Sequence, residues 1–205
     1  LTIKDSATGS LNGDGAVDGA IKAAYPRYEL NASGISPMPI PGMPGGSYVS
    51  TGIEHDEQGH PAYSPAVHQV MQDKRWKKIE PLATTGRVTV NGPEKAAVGI
   101  LGWGSTEGAA IEAIEILNAA GVSAASFFPR IVSPLPVERI KQWAAGMDAI
   151  IVPEVNYTGQ FARMIRAECE IPVLQLNQIS GMPFSAQQIA DFIIQNVKTA
   201  AGATA

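Results

Sequence analysis

Cysteine is almost missing from this sequence. Cys169 stands alone among 205 residues, so no disulfide can close within the chain, and a reducing, cytoplasmic compartment is expected. Charge is sparse too, at 17% of residues with a net balance of −4. The densest basic cluster is the short Lys74-Arg75-Trp76-Lys77-Lys78, and with no longer Lys/Arg stripe a nucleic-acid partner is excluded. No run of about 18 apolar residues exists, which excludes a membrane-spanning helix. Leu1-Thr2-Ile3-Lys4 lacks the charged and apolar regions of a signal peptide. Nor is Leu1 an initiator methionine, so the length is read as that of a segment of something longer.

Glycine and proline are plentiful instead, 21 and 15 residues, against a combined average of roughly 12%, and they are unevenly spread. Residues 1–92 read as loop-rich. Residues 8–19 mix glycine with turn formers and show no apolar period, as in turns or a surface segment. Tyr25-Pro26-Arg27-Tyr28-Glu29-Leu30 suits a short strand bent by its proline. In Ser36-Pro37-Met38-Pro39-Ile40-Pro41-Gly42-Met43-Pro44 four prolines remove the N–H groups that a helix or central strand needs. Such a segment is extended and must lie against something else to be ordered. Residues 64–78 then show helical spacing, with Pro65 in the first turn.

From Lys95 the texture changes. Ala96-Ala97-Val98-Gly99-Ile100-Leu101 is a continuous apolar run, as expected of a buried parallel strand. The pattern predicts helices over 108–120, 133–145, 159–168 and 185–197. They alternate with strands over 122–128, 147–152 and 172–176. Ser105 or Thr106, with Glu107, is the expected cap of the first helix, and Gly121 its stop. The β-α alternation predicts an α/β domain over 93–205, an open parallel sheet with helices on both faces.

Three segments could carry chemistry. Gly102-Trp103-Gly104-Ser105-Thr106 is a glycine turn between strand and helix. It departs from the dinucleotide fingerprint because the third glycine comes one place late. Gly104, Ser105 and Thr106 either hold an anion at the helix N-terminus or simply permit a tight turn. Pro153-Glu154-Val155-Asn156-Tyr157-Thr158-Gly159-Gln160 follows the third strand. There Asn156 could bind a ligand or cap the next helix, and Glu154 and Gln160 could serve an interface or satisfy backbone groups. Glu54-His55-Asp56-Glu57-Gln58-Gly59-His60 is the densest titratable cluster. The five-residue spacing of His55 and His60, with Gly59 between, does not fit a helical zinc motif. A network of Glu54, His55, Asp56 and His60 that orders the loop is preferred to a metal site or a small metallohydrolase. No catalytic nucleophile is assigned, because Cys169 lies between Glu168 and Glu170, which raise a thiol pKa.

Several of these stretches resemble one family. Ser33-Gly34-Ile35-Ser36-Pro37, Ile40-Pro41-Gly42, the 51–60 segment, Lys74-Arg75, the G-W-G-S-T turn, the E-x-N-x-x-G-Q segment and Gly181-Met182-Pro183-Phe184 recur in order in the alpha subunit of 2-oxoacid:ferredoxin oxidoreductases. The likeness is greatest to the 2-oxoglutarate type. It implies oxidative decarboxylation to an acyl-coenzyme A, with electrons passed to ferredoxin. It also implies thiamine diphosphate, Mg2+ and a [4Fe-4S] cluster in the whole complex, carried mainly by a beta subunit. Residues 1–92 then correspond to the end of a thiamine-diphosphate pyrimidine-side domain and a connecting strap. Residues 93–205 correspond to a transketolase C-terminal-like domain. The implied partners are the beta subunit and the rest of the alpha subunit, with this chain serving assembly and silent alone. The alternative is a small-anion or coenzyme A binding module with no catalysis of its own.

Overall fold

A computed structural model describes residues 25–202 of the chain, with side chains described to residue 197; the turn-rich stretch 8–19 lies outside the described residues. The chain divides into two compact units between Pro81 and Leu82, eleven residues before the boundary expected at 92/93. The physical reason is a strand that the loop-rich reading missed. Val88–Asn91, β1, pairs antiparallel with β3, Ala124–Pro129, placing Val90 opposite Phe127. It belongs to the sheet, as does the short helix α2, Leu82–Thr85, to the second unit.

The second unit follows the predicted alternation. Strand β2, Ala96–Leu101, leads through a 3-10 turn at Gly104–Thr106 into a helix, Glu107–Ala119. After β3 come the helix Val137–Ala144, strand β4, Met147–Glu154, the helix Gln160–Met164 and a π turn, Ile165–Cys169. Strand β5, Leu174–Asn177, and the helix Ala186–Gly202 complete it. Numbered after α1, Pro65–Ile79, in the first unit and α2, these helices are α3 to α6 in chain order. The sheet order is β1-β3-β2-β4-β5, with β2, β3, β4 and β5 parallel and β1 antiparallel at the edge.

Alternation along the strands builds two cores. Val98 and Ile100 of β2, Phe128 of β3 and Ile151 of β4 face α3 and α6, where Leu117, Ile189 and Ile193 meet them. Leu101, Phe127, Ile150 and Val152 face the other way, toward Ile140 of α4 and Phe161 and Ile165 beyond β4. Each buried aliphatic side chain of this size contributes about 1.5–3 kcal/mol. The apolar run of β2 is therefore the signature of a strand covered on both faces. Gly121 ends α3 at φ +78, as expected. Thr106 does not cap it: its hydroxyl donates to the Trp103 carbonyl at 2.9 Å, because the intervening 3-10 turn redirects it.

The first unit is built differently. Residues 25–30 form a turn, not a strand; Pro26 lacks a ladder donor and its carbonyl accepts from the Glu29 N–H. Residues 37–50 stay without regular structure, as four prolines dictate. Helix α1 buries a single residue, Met71. The turn-containing segment 29–36 passes α1 closely at Gly34, whose φ is +73 and where a Cβ would lie 2.7 Å from the Lys74 carbonyl. Among the described residues no helix is long and apolar enough to cross a membrane.

Candidate functional site

The β2–α3 and β4–α5 connections emerge from neighbouring parallel strands, yet their helices lie on opposite faces of the sheet. Between the carboxyl ends of β2 and β4 lies the topological switch point, where open α/β sheets place ligands. Trp103, Gly104, Ser105 and Thr106 line one side of a crevice there, and Pro153, Glu154, Val155 and Asn156 the other. The structure thus brings together Gly104, Ser105, Thr106, Asn156 and Glu154 from segments fifty residues apart.

Glu154 organises this crevice. It is 1% exposed, and its Oε1 accepts from the Phe161 N–H at 2.8 Å, the Asn156 amide at 2.9 Å and the Trp103 indole at 3.5 Å. Its Oε2 accepts from the Ala162 N–H at 3.0 Å. These backbone donors belong to the open first turn of α5, so the carboxylate satisfies groups a helix start leaves unpaired and interacts favourably with its dipole. Asn156 Oδ1 accepts from the Gly159 N–H at 2.7 Å and the Gln160 N–H at 3.4 Å. Gly159 sits at φ +64 against the Gln175 amide, where any Cβ would collide. Gln160 is exposed at the start of α5, outside the crevice lining.

The chemistry of the crevice follows from this inventory. Its volume is about 150 Å³, below the roughly 300–1,000 Å³ of ordinary small-molecule sites. A carboxylate lines it and no cationic side chain does, which works against an anion at Gly104 to Thr106. Glu107, at the start of α3, is paired with Arg130 at 2.8 Å.

In the first unit, the 54–60 segment is a clasp. Glu54 receives Arg75 through two hydrogen bonds, Nη2 to Oε1 at 2.6 Å and Nη1 to Oε2 at 3.0 Å, and His68 Nδ1 at 2.6 Å from Oε2. His68, Met71 and Arg75 recur at helical spacing, so one side of α1 presents both partners. The Arg75 guanidinium holds the Glu54 carboxyl at about 2, well below its ordinary range, and His68 adds to this against the opposing effect of burial. Glu54 in turn holds the Arg75 pKa up.

The other residues of the cluster divide their work. Burial pushes Asp56 upward, but the backbone N–H groups of His60 and Gln58 outweigh it and leave its pKa lowered. Those bonds are 2.9 and 3.0 Å long. His60 Nδ1 lies 3.5 Å from Asp56 Oδ2. His55 turns away from the carboxylates: its ring packs on Tyr28 at 4.0 Å, and its Nδ1 lies 2.9 Å from the Asp56 carbonyl oxygen. Glu57 accepts from the Leu30 N–H at 2.8 Å, and Lys74 donates to the Gly34 carbonyl at 2.9 Å. The cluster therefore ties residues 28–34 and 54–62 to α1. His68 escaped the sequence reading because it lies outside the cluster; its seven-residue spacing to Arg75 was the available signal.

The groups implied for the whole complex do not fit the described residues of this chain. The crevice lacks the volume and the cations for a diphosphate. Cys169 is buried, and burial, then Glu168, pushes its thiol up to about 11, whereas a [4Fe-4S] cluster needs four thiolates. Among the described residues no group of three or more His, Cys, Asp or Glu side chains gathers to hold a metal ion.

Comparison with known proteins gives a consistent picture. The model of the pyruvate:ferredoxin oxidoreductase core domain II matches residues 96–189, from the start of β2 into α6. The chain is similar to the alpha subunit of 2-oxoacid:ferredoxin oxidoreductase 2 of Aeropyrum pernix. They share 31% identity over 182 residues, covering 86% of this chain and 28% of that protein. A 2-oxoglutarate oxidoreductase subunit of Mycobacterium tuberculosis, KorA, is 27% identical over 75% of this chain and 23% of its own length. Among solved structures, the 2-oxoglutarate:ferredoxin oxidoreductase of Magnetococcus marinus, with 2-oxoglutarate, coenzyme A and succinyl-CoA bound, superposes with a TM-score of 0.72. The identity there is 38%, over 88% of this chain and 32% of that one. The chain thus spans about a third or less of the length of these relatives.

Proposed function

The chain belongs to the 2-oxoacid:ferredoxin oxidoreductase alpha-subunit family, and on that premise we propose that it is the assembly segment of a 2-oxoglutarate-type enzyme. The whole complex converts 2-oxoglutarate and coenzyme A to succinyl-CoA and CO2, and the two electrons released reduce two ferredoxins. Thiamine diphosphate with Mg2+ supplies the decarboxylation chemistry and an iron–sulfur cluster the one-electron steps, both held outside this chain. The observation that carries the substrate assignment is the 38% identity, over 88% of this chain, to an enzyme solved with 2-oxoglutarate bound.

In this reading the side chains described above position protein, not substrate. Glu154 and Asn156 fix the switch-point loops. Glu54, Asp56 and His60 order the clasp, and the proline-rich residues 37–44 form a strap against a neighbouring domain or subunit, with Ile40 half-exposed along it and Ile35 just before it. The partners are a beta subunit and the remainder of an alpha subunit, in the cytoplasm.

The test is reconstitution with those two components, followed by coenzyme A-dependent reduction of ferredoxin. The chain alone is expected to be silent, and the complex to use 2-oxoglutarate at least about tenfold more efficiently than pyruvate, a difference of about 1.4 kcal/mol in transition-state binding. Decarboxylation by the isolated chain, or a preference for pyruvate, overturns the reading.

A further inference from the structure

Beside strand β1 lies a cavity that shares no residue with the crevice and takes no part in the proposed function. Its existence follows from the topology. Strand β1 turns at Gly92, φ +86, almost directly into β2, with no helix between them to cover the edge of the sheet. Helix α4 packs over the inner strands, and a trough of about 530 Å³ remains between it and β1. That volume lies within the roughly 300–1,000 Å³ of ordinary small-molecule sites, which the crevice does not reach.

The walls are apolar and held in place. Val88 and Val90 of β1 line the trough with Phe127 of β3, and Trp143 of α4 lines it from the helix side. The Trp143 ring lies 5.5 Å from that of Phe127 and fills the space that Gly99 of β2 leaves, where a Cβ would come within 2.6 Å of it. At one end Gly146 approaches the Glu94 carbonyl so closely that no Cβ fits, and the Ala96 N–H donates to the Gly146 carbonyl at 3.0 Å. A site ordered in advance loses little conformational freedom on binding.

The polar groups of the lining give the ligand its chemistry. The buried Trp143 indole N–H has no acceptor among the described residues, and an unpaired buried donor costs free energy. Lys95 and Gln142 also line the trough, and among the described residues neither side chain makes a hydrogen bond or ion pair. Arg139 donates one N–H to the Gly86 carbonyl at 2.7 Å and has further donors on its guanidinium. Donors therefore predominate, and Lys95 and Arg139 against Glu94 leave one positive charge unmatched. A single negative charge on an apolar body complements such a lining, whereas a polyanion exceeds it. We propose that the trough binds a small monoanion with a flat apolar body, its carboxylate or sulfonate held by Lys95 and Arg139 and its body against Val88, Val90 and Trp143. The inference does not rest on the substrate assignment.

The test is an NMR titration of the full chain with naphthalene-2-sulfonate, read at the indole N–H signals of its three tryptophans. Trp143→Phe assigns the Trp143 signal. That signal is expected to shift saturably, with a dissociation constant below about 1 mM, while those of Trp76 and Trp103 stay in place. Uncharged 2-naphthalenemethanol, with the same rings, binds at least about threefold more weakly. Lys95→Glu weakens the sulfonate by a similar factor and leaves the alcohol unchanged, and Lys141→Glu, outside the trough, changes neither. Far-ultraviolet circular dichroism confirms that each variant is folded. Equal affinity for sulfonate and alcohol overturns the proposal, as does equal weakening by the two lysine substitutions. So does a response of all three tryptophans alike, or of none. Exclusion of the probe after reconstitution with the beta subunit and the rest of the alpha subunit assigns the trough to a partner and overturns it too.

Discussion

In the sheet unit Val98, Ile100, Leu101 and Ile151 are wholly buried between helices on two faces, while α1 in the first unit, fifteen residues long, buries only Met71. The first unit makes up the difference with polar fastenings: Glu54 to Arg75 and His68, Glu57 to the Leu30 N–H, and Lys74 to the Gly34 carbonyl. Apolar burial is non-directional and additive over many contacts, so it gives a cooperative domain. A few charged hydrogen bonds are directional, individually modest and dependent on protonation. The contrast separates a unit with a continuous apolar core from one fastened by a few polar bonds.

The sharpest way to break this comparison is to cut both cores. Ile100→Ala in β2 is expected to cost about 3–4 kcal/mol, because both flanking helices hold the cavity open. Met71→Ala is expected to cost about 2 kcal/mol, since thin surroundings can collapse. Urea unfolding measures both. Equal losses would mean that the first unit has a core of the same kind.

Glu154 tests whether the sheet unit also depends on a polar fastening. Glu154→Ala leaves the Phe161 and Ala162 N–H groups without acceptors at a buried helix start, at a cost of about 2–3 kcal/mol. Glu154→Gln keeps one acceptor oxygen and recovers part of that. Thermal unfolding gives the loss, and the Trp103 fluorescence should shift in both variants as its indole is released.

The smallest expected effect is at Glu54, where Glu54→Gln weakens the pairing with Arg75 by about 1–2 kcal/mol. The pH dependence has a definite sign. The folded pKa of about 2 lies below the ordinary value of 4.5, so the stabilisation is present above pH 4.5 and is lost as pH falls to 2. Arg75 proton signals followed by NMR should show the clasp loosening over that window in the native chain and lose the transition in Glu54→Gln.

Much of the second unit was legible because its signals are local. The apolar run of β2, the helical spacing of Ile114 and Leu117 and the stop at Gly121 each point to the element observed. Strand β1 was not legible: Val88-Thr89-Val90-Asn91 is four residues long, and its pairing with β3 depends on residues 35 to 41 positions away. Glu154 stood out as a polar residue at a strand end, but its Trp103 partner required the β2–β4 pairing. The Glu54 clasp shows the same limit. Its carboxylate was visible in the 54–60 cluster, whereas His68 and Arg75 reach it only because α1 folds back on the loop.

Hydrogen–deuterium exchange of the intact chain tests the distinction between the two units most directly. Amides of β2, β3 and β4 should exchange at least about a hundredfold more slowly than those of residues 37–50, because the former open only with the whole sheet unit and the latter have no core to open. Equal protection of the two regions would contradict the account, since the proline-rich segment would then be held by a core of its own.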